Sequence, residues 1–244
     1  MPTIYLSPST QEKNMYVNGG SEEFWMNLLA DAMIPYLRSN GIQYVRNTPD
    51  MTAGSSIRAS NAGDYDLHIA LHSNAAPESK YGTVRGTDVY YAPGSRSGQR
   101  FADIVAENLK GIYPNPEKVR ALPTTSLGEV TRTKAPAVLI EVAYHDNPED
   151  ATWIKNNLDA IARNIVSSIV EYFGLPFIEP QPTWTGTVTL QSGNLNIRSK
   201  PSLTAPIIGK APNGASLAVL GQWEDWYVVN YDGIEGYAKA DYIQ

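Results

Sequence analysis

Between Asp66 and Ala75 the chain reads DLHIALHSNA, in which Leu67, Ile69 and Leu71 alternate with His68, Ala70 and His72. A period of two marks a strand. The run closes at His72 and opens into Ser73-Asn74-Ala75, a polar loop at the strand's carboxyl end. Open α/β sheets build their sites at that edge. Shorter apolar runs at Thr3–Ser7, Ile42–Arg46 and Gly86–Ala92 read as further strands. AVLIEV, from Ala137 to Val142, is a continuous apolar run broken by one carboxylate, as in a strand buried on both faces.

Between these runs the period changes to that of helices. Ser21 is a fitting N-cap, and Glu22 and Glu23 suit the positive end of a helix. Met26, Leu29, Ala30, Met33 and Leu37 then form one stripe, and Asn40-Gly41 closes the element. Pro35 inside it predicts a kink. Thr52–Ala62 is a polar helix, and a third helix from Ser97 carries Phe101, Ile104, Val105, Leu109 and Ile112. A loop holding Pro114, Pro116 and Pro123 follows. Asn147-Pro148-Glu149-Asp150 combines a cap, an N1 proline and an acidic first turn. It starts a helix with Ile154, Leu158, Ile161, Ile165, Ile169 and Phe173 on one face, ending at Gly174. Strands alternating with helices predict an α/β domain over residues 1–175, with a twisted, largely parallel sheet flanked by helices.

The texture changes after Leu175. PFIEPQPTW holds three prolines and reads as a stiff linker over residues 176–184. From Thr185 to the end, short strand-like runs alternate with turns, predicting a small all-β barrel.

Composition narrows the chemistry. Cysteine is absent, which excludes a thiol nucleophile, thiolate metal ligands and disulfides. Any metal must rest on His, carboxylate or carbonyl oxygen. The net charge of −6 argues against general nucleic-acid binding, which needs a basic footprint. No apolar run approaches the roughly 20 residues of a membrane span. MPTIYLSPST shows no basic segment followed by an apolar one, so no secretory signal is visible.

Glu141 is the sharpest anomaly, because an ionised carboxylate in VLIEVAY costs several kcal/mol to bury unless it is paired or protonated. Singly, each candidate has a structural explanation. Glu141 could be satisfied by a backbone or arginine partner, His72 could be a core histidine, and Glu22 could be a helix N-terminal acid. Together they lie at element ends that an α/β sheet gathers at one edge. One His and one Glu as metal ligands, with a second Glu to move protons, suit metal-assisted hydrolysis.

Residues 3–174 resemble the zinc-dependent N-acetylmuramoyl-L-alanine amidases of the amidase-3 type, which cleave peptidoglycan. DLHIALHSNA is similar to that family's strand bearing a zinc histidine, which implies that role for His72. SEEFWMNLLADAMIPYLRSNGIQYV resembles its helix opened by a glutamate ligand, implying Glu22. PAVLIEVAYHDN resembles the segment with the catalytic glutamate, implying Glu141, followed by an asparagine, here Asn147. The family's first zinc histidine has no counterpart in LSPSTQEKN, where Thr10 stands near the expected position. The third ligand is then Gln11 through its carbonyl oxygen, with His145 as the alternative, and His68 lies on the same strand face but deeper. A decayed site without metal is the other explanation. The tail resembles a bacterial SH3-like (SH3b) domain, residues 185–244, through LNIRSKPS and EDWYVVNYDGIEGYAKADYI. Leu195, Ile197 and Val228 are expected to fill the barrel, while Trp226, Tyr227, Tyr231 and Tyr237 are either core or ligand-facing. That segment holds four Lys/Arg and five Asp/Glu, so any wall ligand would be held by stacking and hydrogen bonds.

The resemblance implies a zinc-dependent hydrolase of the amide between N-acetylmuramic acid and L-alanine of the stem peptide. Its partner would be peptidoglycan, with no nucleic acid and no membrane, and its location the cell wall or the exterior, as for an autolysin or endolysin. The alternative is a wall-binding protein on an amidase scaffold that has lost its metal. A metallo-exopeptidase is a third reading, against which the wall-type second domain argues.

Overall fold

The computed structural model describes residues 1–244. The chain forms two compact units. One comprises Thr3–Met33 with Tyr44–Tyr172; the other comprises Met1–Pro2, Ile34–Gln43 and Phe173–Gln244.

The first unit is built on β1 (Thr3–Pro8), β2 (Gln43–Arg46), β3 (Leu67–Asn74), β4 (Thr87–Tyr91), β5 (Val119–Pro123) and β6 (Ala137–Tyr144). Their order is β2-β1-β3-β6-β4-β5. β1–β3, β3–β6 and β4–β5 pair in parallel, and β4 runs antiparallel to β6. The expected α/β sheet is therefore present in mixed form. β3 extends two residues past His72, to Asn74. β1, β3 and β6 lie side by side, and their core residues Ile4, Leu6, Leu67, Ile69, Val138 and Ile140 are fully buried.

The helices are α1 (Glu22–Ser39), α2 (Ala53–Ala62), α3 (Arg96–Lys110), α4 (Gly128–Thr131), α5 (Pro148–Asn156) and α6 (Leu158–Phe173). The predicted α1 stripe is buried throughout, from Met26 to Leu37. Pro35 lies inside α1 without ending it. Gly41, at φ 64°, supplies the left-handed turn that closes the helix. Thr52 caps α2, its hydroxyl accepting from Ser55 N at 3.2 Å. Two elements were not expected. β5 falls in the proline-bearing loop, and α4 is a single turn. The long helix predicted from Asn147 is two helices, broken at Asn157.

The second unit carries β7 (Trp184–Thr187), β8 (Asn194–Arg198), β9 (Ile207–Pro212), β10 (Ser216–Trp223), β11 (Trp226–Tyr231) and β12 (Ile234–Lys239). They form an antiparallel sheet ordered β7-β10-β11-β12-β8-β9. Leu195, Ile197, Val228 and Tyr237 are buried, as is most of Trp226. The β11–β12 hairpin turns on Asp232-Gly233, both at positive φ, the pair favoured in tight two-residue hairpins. Within this unit the proline-rich segment is pinned. Asn40 Nδ2 donates to Ile178 O at 2.8 Å, and Ile178 N donates to Asn40 Oδ1 at 2.7 Å.

Asp150, fully buried, ties the far side of the first sheet together. It accepts from Arg85 Nε at 2.9 Å, Tyr113 Oη at 2.7 Å, and the backbone N–H groups of Gly86 and Tyr144, each at 3.1 Å. Removing Asp150 leaves the Tyr113 hydroxyl and two backbone amides without their acceptor, at about 1–3 kcal/mol for each group left unsatisfied, while Arg85 keeps Glu149 as a partner. Asp150→Ala should therefore lower the urea midpoint markedly at unchanged slope, and Asp150→Asn less so.

Candidate active site

Parallel pairing brings the carboxyl ends of β1, β3 and β6 to one edge, with α1 beginning beside them. His72 is the Cα partner of Glu141 across the β3–β6 ladder, and Asp88 is the partner of Glu141 on the other side. Register alone thus sets the imidazole beside the carboxylate.

Glu22, the first residue of α1, is 1% exposed. Its Oε1 lies 2.8 Å from His72 Nδ1. Its Oε2 accepts from Asn14 Nδ2 at 2.8 Å. The loop after β1 folds back over this pair, with Glu22 N donating to Asn14 O at 2.8 Å. Gln11 Nε2 stands 3.3 Å from His72 Nδ1 and 3.5 Å from Glu22 Oε1, while Gln11 Oε1 accepts from Asn14 at 2.8 Å. Gln11, Glu22 and His72 therefore converge, with Gln11 turning its amide nitrogen, not the expected carbonyl oxygen, toward the other two. His145 does not join them. It is held by Ser73, through Oγ at 3.1 Å and O at 2.8 Å, and stacks on Tyr16. His68 is buried, stacked on Tyr5 and hydrogen-bonded to Ser60 at 3.0 Å. Asn147 caps α5 through Glu149 N and Asp150 N.

The residue that sequence reasoning missed is Glu129, on α4. It is 5% exposed, and its Oε2 lies 3.2 Å from His72 Nε2. Ser7 Oγ donates to its Oε1 at 2.5 Å, and His68 Nε2 lies 3.4 Å from the same oxygen. The available signal was its setting: Leu127 and Val130 beside it join the apolar cluster of Ala70 and Leu139.

The electrostatics follow from this packing. Burial alone would lower the His72 pKa, but the bonds to Glu129 and Glu22 and the charge of Glu141 raise it to about 10. Burial raises Glu129, and the bonds to His68 and His72 outweigh it, bringing its pKa down to about 2. Glu22 is lowered for the same reason, burial being outweighed by His72, Asn14 and Ser9. Glu141 differs. Burial is its largest influence and raises it to about 7, against the opposing charge of His72. Its Oε2 is enclosed and has no hydrogen-bond partner. Glu141 thus lines a cavity of about 430 Å³, together with Gln11, His72 and Glu129, holding one oxygen free.

A model of the N-acetylmuramoyl-L-alanine amidase family matches residues 9–171, and a bacterial SH3 domain model matches residues 193–244. The chain belongs to the N-acetylmuramoyl-L-alanine amidase family. It is a peptidoglycan amidase with an SH3b domain appended. No curated protein matches its sequence significantly. Solved structures share the fold. The amidase AmiC2 of Nostoc punctiforme superposes with a TM-score of 0.62 at 16% identity, covering 71% of this chain and 97% of that one. The catalytic domain of CwlV from Paenibacillus polymyxa gives 0.61 at 18%, covering 71% and 99%. The catalytic domain of the CD27L endolysin, which targets Clostridium difficile, gives 0.59 at 22%, covering 70% and 98%.

The amidase family implies a metal, and the donor set can be tested against one. No group of three His, Cys, Asp or Glu side chains is disposed to hold an ion. The set offers two strong donors, His72 Nδ1 and Glu22 Oε1, and needs an amide as the third. A half-turn of the Gln11 amide brings its oxygen inward and gives up the bond that Asn14 Nδ2 donates to it. The far nitrogen of His72 already faces a buried carboxylate, the arrangement that fixes a ligating imidazole. With the unpartnered oxygen of Glu141 alongside, these residues fit a divalent metal. In chelator-treated protein, His72 should keep both ring protons at pH 8 by nitrogen NMR. Glu129→Gln removes one raising charge and should bring its midpoint down by at least about one pH unit.

Proposed function

We propose that the amidase hydrolyses the amide joining the lactyl group of N-acetylmuramic acid to the L-alanine of the stem peptide, with Glu141 as the proton-transfer group. The observation that carries this is the free, enclosed Oε2 of Glu141 beside His72. A carboxyl group poised near neutrality both accepts and returns a proton at working pH. Glu141 takes a proton from the attacking water as the water's oxygen bonds to the carbonyl carbon. It returns that proton to the amide nitrogen as the C–N bond breaks, leaving a lactyl carboxyl group and the free amine of L-alanine.

Zinc is the metal of this reading, held by Glu22, His72 and Gln11. When bound it would supply Lewis acidity, polarising the scissile carbonyl and acidifying water. Glu129 keeps Nε2 of His72 protonated and so leaves Nδ1 to face Gln11 and Glu22. Asn14 holds the second oxygen of Glu22, and Ser7 holds Glu129.

The SH3b domain serves as the wall-attachment module in this reading. It has a groove of about 670 Å³ lined by Arg198, Leu203, Trp226, Lys239, Asp241 and Tyr242. Aromatic and mixed-charge lining suits stacking and hydrogen bonding to wall glycan or peptide. The cell wall or exterior is the matching location, and no helix is long and apolar enough to cross a membrane.

A second reading, a wall-binding protein that has lost its metal, is favoured by one observation: no three His, Asp or Glu side chains gather to hold an ion. Metal content separates the two. The hydrolase should hold about one zinc per chain, lost in His72→Ala. Gln11→His replaces a hard oxygen by imidazole and should tighten zinc binding. Glu141→Ala should retain zinc and release amine termini from purified sacculi at least about 100-fold more slowly. Wild-type protein that takes up no zinc would favour the binding scaffold, and full activity in Glu141→Ala would remove Glu141 from the mechanism.

A further inference from the structure

The cavity at Glu141 has residues that proton transfer does not use. Thr10, Asn47, Thr52, Ser56 and Arg132 also line it. Two of them are arranged to hold something.

Asn47 is 4% exposed. Its Nδ2 donates to Pro8 O at 3.0 Å, Ser56 Oγ at 3.0 Å and Ser7 Oγ at 3.3 Å, which fixes the amide plane. Its Oδ1 is buried and has no partner. Burying a carbonyl oxygen unsatisfied costs free energy that a ligand N–H recovers.

Arg132 is the one Lys or Arg in a lining that includes Glu129 and Glu141. Its backbone is engaged, N to Gly128 O and O to Asn61 Nδ2, while its guanidinium forms no ion pair. The guanidinium lies over Gly128, where a Cβ would fall 2.2 Å from Nη2 and 2.9 Å from Cζ. Gly128 has no positive φ, so the missing side chain serves space and not backbone conformation. Arg132 is exposed at this lining, where a planar cation with no protein counter-charge is free to meet a ligand carboxylate.

We propose that this wall is a stem-peptide subsite in which Arg132 reads a free carboxylate on the residue after L-alanine and Asn47 Oδ1 accepts a peptide N–H. The proposal rests on the amidase reading for the identity of the peptide. Bulk charge cannot imitate it, since the chain carries −6 and repels anions overall.

The test uses the full-length, zinc-supplied chain carrying Glu141→Ala, so that ligands survive. Calorimetry compares two N-acetylmuramoyl dipeptides, L-alanine followed by D-glutamic acid with its α-carboxylate free or by its α-amide. The acid should bind about 10- to 100-fold tighter, the range of a charge-assisted hydrogen bond. Adding Arg132→Gln should bring the ratio to within about threefold. Gly128→Ala keeps the charge but displaces the guanidinium, and it should also reduce the ratio. A ratio near one, an unchanged ratio in Arg132→Gln, or no binding of either compound would overturn the subsite. Hydrolysis by the unmutated chain is scored separately. Turnover without acid preference would refute the subsite and leave the amidase reading. An Arg132-dependent preference without turnover would refute the amidase reading and leave the subsite.

Discussion

Everything at the active edge depends on one buried ionic arrangement, the His72 ring held between Glu22 and Glu129. Burying charges in an apolar sheet is costly, and the attraction offsets that cost only when geometry is good and every remaining oxygen is satisfied. Here the satisfaction is nearly complete. Asn14 takes the second oxygen of Glu22, Ser7 takes one oxygen of Glu129, and the ring nitrogens take the others. The loop after β1, the start of α1, the end of β3 and the one-turn α4 are thereby bound to a single imidazole. Glu141 departs from this pattern. It sits next to the bridge in register, yet its Oε2 has no partner, and neither does Asn47 Oδ1 in the lining of the same cavity.

The sheet supplies the rigidity that such a network needs. Parallel pairing of β1, β3 and β6 sets three strand ends at one level, and the antiparallel β4 places Asp88 on the far side of Glu141. Asp88 is occupied by Arg120 at 2.8 Å, so it does not compete for His72. On the opposite flank, Asp150 gathers Arg85, Tyr113 and two backbone amides, and Asp146 holds Ala76 N and Gly82 N. Buried carboxylates thus both brace the sheet and equip its edge. The difference lies only in whether their oxygens are filled by the protein.

Much of this was legible from the chain. The period of two in DLHIALHSNA, the apolar run around Glu141 and the stripe after Glu22 are strong local patterns, and each corresponds to an element of the structure. What escaped had a physical cause. β5 holds Pro123 and Arg120 at a sheet edge, where strand composition is weak. α4 is one turn, too short to show a period. The break at Asn157 is invisible because apolar residues continue in phase from Ile154 to Ile161. Glu129 escaped because its apolar neighbours Leu127 and Val130 span a single turn, too short a pattern to mark the carboxylate between them as buried. Its partners, Ser7 and His72, are 122 and 57 residues away.

In the zinc site proposed above, Gln11 bears on metal affinity. An amide oxygen is a weaker donor to zinc than imidazole, so the other two donors must be better prepared. His72 is prepared by Glu129, which orients the ring and raises its basicity, and Glu22 by Asn14. The same preparation has an opposing effect. Two flanking carboxylates hold His72 protonated, and a metal must displace that proton to reach Nδ1. Affinity is therefore set by competition between a proton and a metal for one nitrogen, and the carboxylates strengthen both competitors. In the proposed zinc site a metal would gain the more from Glu22, which could ligate it directly, while Glu129 would contribute through the ring alone. That asymmetry of the two carboxylates about His72 would tilt the competition toward a dication.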